Sequence, residues 1–228
     1  MGYNLLILGQ PGRGKTTSIR TLPPEETFII NVEGKHLTWP KWKQQYTKLT
    51  AEGGNLATIH KASDILKTIK HISDNRPEIK TIVIDDFTYV FVEQFMLKAL
   101  EKGYDKYNEI GKDAWELLKV YKHVREDLCI VYTMHIEESN DVEGAKTLKA
   151  KTLGKMIDNY ITVEGLFSVV LYADIEKVKK DNKISNNYIF MTQSNGLTTA
   201  KSPMGMFESD VIPNDLNEVI KVMKEYNV

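Results

Sequence analysis

The sequence predicts an α/β fold in which helices flank a mostly parallel central sheet that ends in an antiparallel extension. Three observations support this prediction. Short apolar runs rich in β-branched residues alternate with stretches of helical spacing. The first run is followed at once by a glycine-rich turn and a helix-compatible segment. The last two runs flank a charged turn centred on Asp181-Asn182, which is typical of a hairpin.

Each predicted strand is a short apolar run, and each predicted helix repeats its apolar residues at helical spacing. The predicted strands are residues 3–8, 27–32, 56–59, 81–84, 128–133, 167–172 and 188–192. The predicted helices are residues 17–22, a pattern over Ile65, Leu66, Ile69 and Ile72, and residues 87–101, 112–126, 151–163 and 214–226. Pro23-Pro24 ends the first of these helices. The polar stretches 102–110 and 136–150 predict two loops.

Length and composition indicate one domain over residues 1–228, with residues 203–228 as a C-terminal tail and helix. The 30 basic and 31 acidic side chains nearly cancel, so no overall field favours nucleic acid or a membrane surface. A local basic channel is still compatible with this balance. No apolar run approaches the length that crosses a membrane. The single cysteine, Cys129, lies in an apolar run and fits a buried position in a reducing cytosol.

The strongest signal is at residues 9–16, which read Gly-Gln-Pro-Gly-Arg-Gly-Lys-Thr and match G-x-x-x-x-G-K-T. In such a phosphate-binding loop the glycines let backbone N–H groups surround phosphate oxygens, and the following helix adds the positive end of its dipole. Lys15 is placed to reach the β- and γ-phosphates, and Thr16 to bind Mg²⁺. The predicted nucleoside triphosphate site consists of Gly9, Gln10, Pro11, Gly12, Arg13, Gly14, Lys15, Thr16 and Thr17.

Two carboxylates are candidates for metal binding and water activation. Asp85 ends the strand 81–84, and the carboxyl ends of parallel strands share one edge with the loop, so Asp85 is predicted to hold Mg²⁺ with Thr16. A helix N-cap is the alternative role, for Asp85 or equally for Asp86. Glu33 ends the strand 27–32 at the same edge and is predicted to activate water, because Asp86 is one methylene shorter than glutamate. An exposed loop charge is the alternative for Glu33.

A histidine and a lysine complete the candidate catalytic set. His135 follows the strand 128–133 at the same edge, where it would either sense a γ-phosphate or simply be a histidine satisfied at a strand end. Only four arginines occur, and none follows residue 125. If the later half of the chain contributes a positive charge to a neighbouring site, that charge must therefore come from a lysine. Lys201 is the best-placed candidate, with a solvated surface lysine as the alternative.

These motifs, in this order over residues 3–202, resemble the core ATPase domain of the RecA-like family, and in particular the small phage ATPases that carry only that core. Residues 9–17 resemble its Walker A loop, residues 28–33 the strand with the catalytic glutamate, and residues 81–85 the Walker B strand. Residues 130–135 resemble the strand of the γ-phosphate sensor, with histidine where RecA has glutamine. The resemblance implies a RecA-like P-loop ATPase that uses ATP and Mg²⁺.

The resemblance also implies partners. In this family two mobile loops bind single-stranded DNA, here near residues 102–112 and 136–152, although solvated loops are the alternative for both. ATP lies between subunits of a homo-oligomeric ring or filament, so Lys201 would reach a neighbour's nucleotide. A phage protein of this kind would act in annealing or recombination in the cytoplasm of its bacterial host. The candidate DNA-binding residues are Lys102, Tyr104, Lys106, Tyr107, Lys146, Lys149 and Lys151.

Other functions of P-loop proteins require different sequence features. A helicase-like RecA motor, or an ATP-dependent assembly or switch protein without DNA contacts, fits the same motifs. A GTPase needs N-K-x-D, whereas residues 182–185 read Asn-Lys-Ile-Ser. Scarce arginine argues against a small-molecule kinase lid, and the chain after residue 202 is too short for the helical lid of an AAA+ ring motor. The Trp39-Pro40-Lys41-Trp42-Lys43 segment either contacts nucleic acid or covers the sheet edge.

Overall fold

The computed structural model describes residues 1–140, 144–180 and 183–226. Its strands are β1 Tyr3–Leu8, β2 Thr27–Asn31, β3 Leu56–Ala57, β4 Thr81–Asp85, β5 Cys129–Met134, β6 Ile136–Asn140, β7 Lys146–Ala150, β8 Val170–Lys180, β9 Lys183–Met191 and β10 Val211–Pro213. Its α-helices are α1 Trp42–Gln45, α2 Ala62–Asn75, α3 Thr88–Leu97, α4 Asp105–Leu118, α5 Lys155–Asp158 and α6 Leu216–Tyr226.

Eight strands form the central sheet in the order β10-β9-β8-β1-β5-β4-β2-β3. The pairs from β8 through β3 are parallel, and β8-β9 and β9-β10 are antiparallel. The predicted α/β class, with its mostly parallel sheet and antiparallel extension, is therefore confirmed. Because β1, β2, β4 and β5 run in the same direction, the segments that follow them meet at one edge of the sheet.

Both faces of the sheet are covered, which explains why its central strands are continuously apolar. Alternate residues of β1 point to opposite faces, as expected for a strand. One face packs on α2, α3 and α4, where Ile69, Phe91 and Leu117 are buried. The other packs on α6 and on a 3₁₀ helix, Thr16–Thr21, that follows the glycine loop. The glycine loop is thus anchored to the core at both of its ends.

The predicted loop at residues 102–110 is wrong from residue 105 onward. Residues 105–118 form α4, and Ile110, Ala114, Leu117 and Leu118 are its buried positions. The residues of α4 before Ile110 are largely polar, and such a stretch resembles a loop in sequence. The helix predicted at residues 112–126 accordingly starts earlier and ends at Leu118.

The polar stretch 136–150 is also not a simple loop, because β6 and β7 pair there as a separate antiparallel hairpin. Opposite charges face one another in this hairpin, as at Glu137 and Lys149.

Residues 141–143, and the predicted turn at Asp181-Asn182, lie outside the described residues. The helix predicted at residues 151–163 is limited to α5, followed by a 3₁₀ turn, Val163–Leu166. Within the described residues, none of the helices has the length and apolarity that a membrane span needs.

Candidate active site

The glycine loop between β1 and the first 3₁₀ helix has the backbone that its sequence requires. Gly12 and Gly14 have φ values of 77° and 97°, a region that other residues adopt only under strain. A Cβ at Gly14 would also lie 2.7 Å from Cδ1 of Tyr188, so this position is closed to larger residues. Lys15 Nζ donates to the carbonyl oxygens of Gly9, at 2.8 Å, and Gln10, at 3.1 Å. The lysine therefore folds back over its own loop, as a phosphate-binding lysine must.

Contacts from the rest of the chain hold this loop in place. Asn214 donates to Gly14 O at 3.3 Å and accepts from Arg20 at 2.9 Å. Arg13 forms a 3.0 Å ion pair with Asp174 of β8. On the other flank the hydroxyls of Thr17 and Thr38 lie 2.9 Å apart. The predicted loop residues thus form one connected unit.

The side chains of Thr16 and Asp85 lie next to each other at this edge of the sheet. Thr16 Oγ1 lies 3.0 Å from each carboxylate oxygen of Asp85. Thr133 of β5 donates to Asp85 Oδ1 at 2.7 Å and fixes the carboxylate from the side. Hydroxyl and carboxylate oxygens are the ligands that Mg²⁺ prefers, so these residues fit the metal. Within the described residues, no group of three or more acidic, histidine or cysteine side chains could hold a metal ion by itself.

The alternative role of Asp85 or Asp86 as a helix N-cap does not match the structure. The N-cap of α3 is Phe87, and the helix start has no side-chain cap. Asp85 is almost completely buried, and burial, followed by the nearby Asp86 charge, raises its pKa to about 6. A carboxylate held at such a cost in a dry position is more typical of a binding site than of a structural cap.

Asp86 is held by a second network. Its φ is 62°, a left-handed conformation that is uncommon for aspartate, and its N–H donates to Thr133 Oγ1 at 2.8 Å. Lys35 Nζ lies 3.2 Å from Asp86 Oδ2. Burial lowers the pKa of Lys35, but the charge and hydrogen bond of Asp86 outweigh it and raise this pKa overall. The Asp86 carboxylate is therefore already neutralised by a lysine.

His135 lies beside the same carboxylate but is not bonded to it. Its Nε2 is 3.5 Å from Asp86 Oδ1, at the outer limit of a hydrogen bond, and this buried atom has no hydrogen-bond partner in the described residues. Burial, and then the charge of Lys15, lowers the pKa of His135, so the ring is neutral at pH 7. Its backbone N–H is fixed by Thr88 Oγ1 at 2.9 Å. A rigid imidazole with an unused polar atom near Lys15 fits a contact to phosphate.

Glu33 lies at the same edge of the sheet as this site, whereas Lys201 lies beside the start of β8. Asn31 of β2 pairs with Asp85, and the N–H of Val32 donates to Asp85 O at 3.2 Å, which brings Glu33 to the same edge. Lys201 pairs through its backbone with Val170, on the far side of β8 from β1. In the described part of the chain neither side chain forms a hydrogen bond or ion pair.

The candidate DNA-binding residues fall into two groups on the α4 side of the sheet. Lys102 and Tyr104 are exposed before α4, and Tyr104 lies 6.4 Å from the ring of Tyr107. Tyr107 also packs against Phe95, and the ammonium of Lys106 lies 5.6 Å from each of these rings. These contacts make Tyr107 and Lys106 partly structural.

The hairpin lysines are largely compensated within the chain. Lys149 lies between Glu137, at 3.4 Å, and Asp158, and Lys146 lies 3.3 Å from Glu138. Lys151 is exposed at the base of the hairpin, and its N–H donates to His135 O at 2.9 Å. Of the three predicted hairpin residues, Lys151 is therefore the one with a free charge near the nucleotide site.

Sequence reasoning missed several residues that organise the site. Thr133 holds both aspartates, and the signal for it was a polar residue in an otherwise apolar, buried strand. Lys35, two residues after Glu33, had no distinguishing pattern. Tyr188 and Asn214 come from distant parts of the chain, so only the fold shows that they border the loop.

Comparison with known proteins supplies the family. A family model described as an AAA domain matches residues 1–204. The chain belongs to this AAA domain family. A search of curated proteins found no match.

A solved structure agrees in fold. The KaiC-like protein PH0186 from the hyperthermophilic archaeon Pyrococcus horikoshii OT3 matches with a TM-score of 0.50 and 12% sequence identity, over 93% of this chain and 85% of that chain. At this identity the match shows the fold alone. Together with the family and the glycine loop, it identifies an AAA-type P-loop ATPase of RecA/KaiC-like fold. After the matched residues, the described chain up to residue 226 holds one short strand, β10, and the helix α6.

The raised pKa of Asp85 predicts an unusual pH dependence of stability in metal-free buffer. Above pH 6 the buried carboxylate is charged and destabilises the fold, and this cost declines as the pH falls from about 6 towards 3.8. We expect Asp85→Asn to be more stable than the wild type by up to about 3 kcal/mol at pH 7.5 and by much less at pH 4.5. Urea unfolding at both pH values measures this difference. An equal difference at the two pH values would contradict the assignment.

Proposed function

We propose that this protein binds ATP with Mg²⁺ between adjacent copies of itself and uses hydrolysis to control its grip on single-stranded DNA, in strand annealing or recombination. The observation that carries the proposal is the continuity of the site with the hairpin. His135 borders the Asp86 carboxylate and leads directly into β6, and its carbonyl accepts from Lys151 at the end of the hairpin. A change at the nucleotide would thus reach the hairpin through one residue.

The role that we propose for each site residue is based on its contacts. Lys15 and the loop N–H groups would hold the phosphates, and Thr16 and Asp85 would hold Mg²⁺, which when bound neutralises phosphate charge. Glu33 is the better water activator, since its carboxylate is half-exposed and uncommitted in the described residues, whereas Asp86 is tied to Lys35. His135 would donate to the γ-phosphate from its unpartnered nitrogen and lose that contact after hydrolysis.

The DNA surface would be formed by the free groups of the two predicted segments. Lys102 and Tyr104 before α4 offer charge and an exposed ring, and Lys151 adds a charge beside His135. Lys106, Tyr107, Lys146 and Lys149 would support this surface more than contact the strand, because each is already engaged within the chain.

An oligomer, ring or filament, is part of this proposal. The two arginines near the loop are engaged within the described residues, Arg13 with Asp174 and Arg20 with Asn214, whereas the side chain of Lys201 has no ion pair there. A neighbouring copy would supply Lys201 to the γ-phosphate, as the family resemblance implies. The single, buried Cys129 is compatible with work in the reducing cytoplasm of a phage-infected bacterium.

One observation favours a second function, an ATP-dependent assembly or switch protein that does not touch DNA. The hairpin lysines Lys146 and Lys149 are paired with carboxylates, and the whole chain is close to neutral. In that case the hairpin would contact a partner protein whose surface carries both acidic and basic side chains. A helicase-like motor would share the ATPase chemistry but move along the strand.

Glu33→Gln separates the two candidate bases. We expect ATP affinity to be kept and turnover to fall by at least about 100-fold, because the amide cannot accept the proton of the water. The matched variant Asp86→Asn should lose less than about tenfold. Steady-state phosphate release with ATP binding by calorimetry measures both. The reverse order of the two variants would assign the base to Asp86.

Lys201→Ala tests the shared site by mixing. The variant alone should hydrolyse ATP slowly at every concentration, and so should Lys15→Ala. Mixed together they should regain part of the wild-type turnover, because a Lys15→Ala subunit still offers Lys201 to its neighbour. Lys221→Ala, on α6, is the control with unchanged turnover. No recovery on mixing would place Lys201 in its own subunit's site.

Tyr104→Ala tests the DNA surface. Loss of one stacked base should weaken binding of an oligonucleotide by about tenfold and leave ATP affinity unchanged. Tyr226→Ala, an exposed tyrosine on α6, is the control. Fluorescence anisotropy with a labelled oligo-dT measures both. Equal affinities would remove this surface from DNA binding and favour the switch function.

A further inference from the structure

A second cleft lies at the β2–β3 end of the same sheet edge. It encloses about 420 Å³, enough for a nucleotide. Its functional side chains are Lys35, His36, Trp42, Lys43, Lys48 and Thr58. None of the glycine-loop residues 9–17 lines it, so it is separate from the phosphate site.

The cleft concentrates positive charge in a nearly neutral protein. Residues 34–51 contain four lysines and no acidic residue. Lys35 is paired with Asp86, but Lys43 and Lys48 have no ion pair in the described parts of the chain. A cleft with two uncompensated lysines and a histidine attracts an anion.

Trp39 and Trp42, for which the sequence left open either a contact with nucleic acid or cover for the sheet edge, have different environments. Trp39 is buried, and its Nε1 donates to Gln45 at 2.7 Å, so it belongs to the core. Trp42 is half-exposed in the cleft, with His36 5.8 Å away and the Lys43 ammonium 5.5 Å from its ring. Lys41, just before it, has a φ of 63°, a strained conformation for lysine. The backbone is therefore constrained where it presents Trp42.

We infer that this cleft binds one nucleotide unit of single-stranded DNA, with the base against Trp42 and the phosphates on Lys43 and Lys48. An aromatic face beside free lysines matches the two groups that every nucleotide offers. The inference rests on the proposed function and adds a contact outside the predicted segments. Lys35 lines the cleft and also holds Asp86, so the strand would pass within one side chain of the catalytic carboxylates.

Affinity and its salt dependence test the inference. With labelled oligo-dT, Lys43→Gln with Lys48→Gln should bind at least about fivefold more weakly and reduce the slope of log K against log salt by about 1.4. Trp42→Ala should lose about tenfold, and Trp42→Phe should recover part of that loss. Lys67→Gln with Lys70→Gln, two exposed lysines of α2, is the matched control. Unchanged thermal unfolding and ATP affinity should accompany each variant.

The outcomes separate this inference from the proposed function. If the wild type binds no oligonucleotide at any salt concentration, both fail. If the wild type binds and the cleft variants match the control in affinity and slope, the cleft alone is wrong. Photocrosslinking of bound oligo-dT to the wild type is independent of the variants' folding, and it should label residues 35–48. Labelling only elsewhere would show that the strand does not enter the cleft.

Discussion

The site depends on one contact, in which Thr16 after β1 reaches Asp85 at the end of β4. These strands are not neighbours, because β5 lies between them. Thr133 of β5 fills the gap by holding Asp85 with its hydroxyl proton while accepting from the N–H of Asp86. Three strands are thereby fixed to one another at the point where a metal would be bound. A shift of any of them would separate the oxygens that must act together.

The order of the strands then determines which other polar side chains lie near the contact between Thr16 and Asp85. Glu33 follows β2, whose Asn31 pairs with Asp85, and His135 follows β5 and lies beside Asp86. The parallel sheet places these groups along one edge although they are far apart in sequence. Lys35 pairs with Asp86, whereas Asp85 has no ion pair in the described residues. In that part of the chain the buried Nε2 of His135 has no hydrogen-bond partner.

The fold was predictable because its strands are buried on both sides. Such strands are continuously apolar, and they are the easiest elements to recognise in a sequence. α4 was missed at its start because residues 105–109 are largely polar and precede Ile110, the first buried residue of the helix. The β6–β7 hairpin was missed because β6 is mostly polar, and the apolar alternation of β7 is limited to the buried pair Leu148 and Ala150. Lys15, Thr16 and Asp85 follow local rules of loop and strand end, whereas Tyr188 and Asn214 reach the loop only through tertiary packing.

Calorimetric titration with ATP shows whether this site takes up ATP with Mg²⁺. We expect a saturable heat with one site per chain that requires Mg²⁺ and disappears in Lys15→Ala, whose thermal unfolding should match that of the wild type. A folded wild-type protein that shows no uptake of ATP-Mg²⁺, or a Lys15→Ala variant that binds it equally well, would show that the glycine loop is not a triphosphate site.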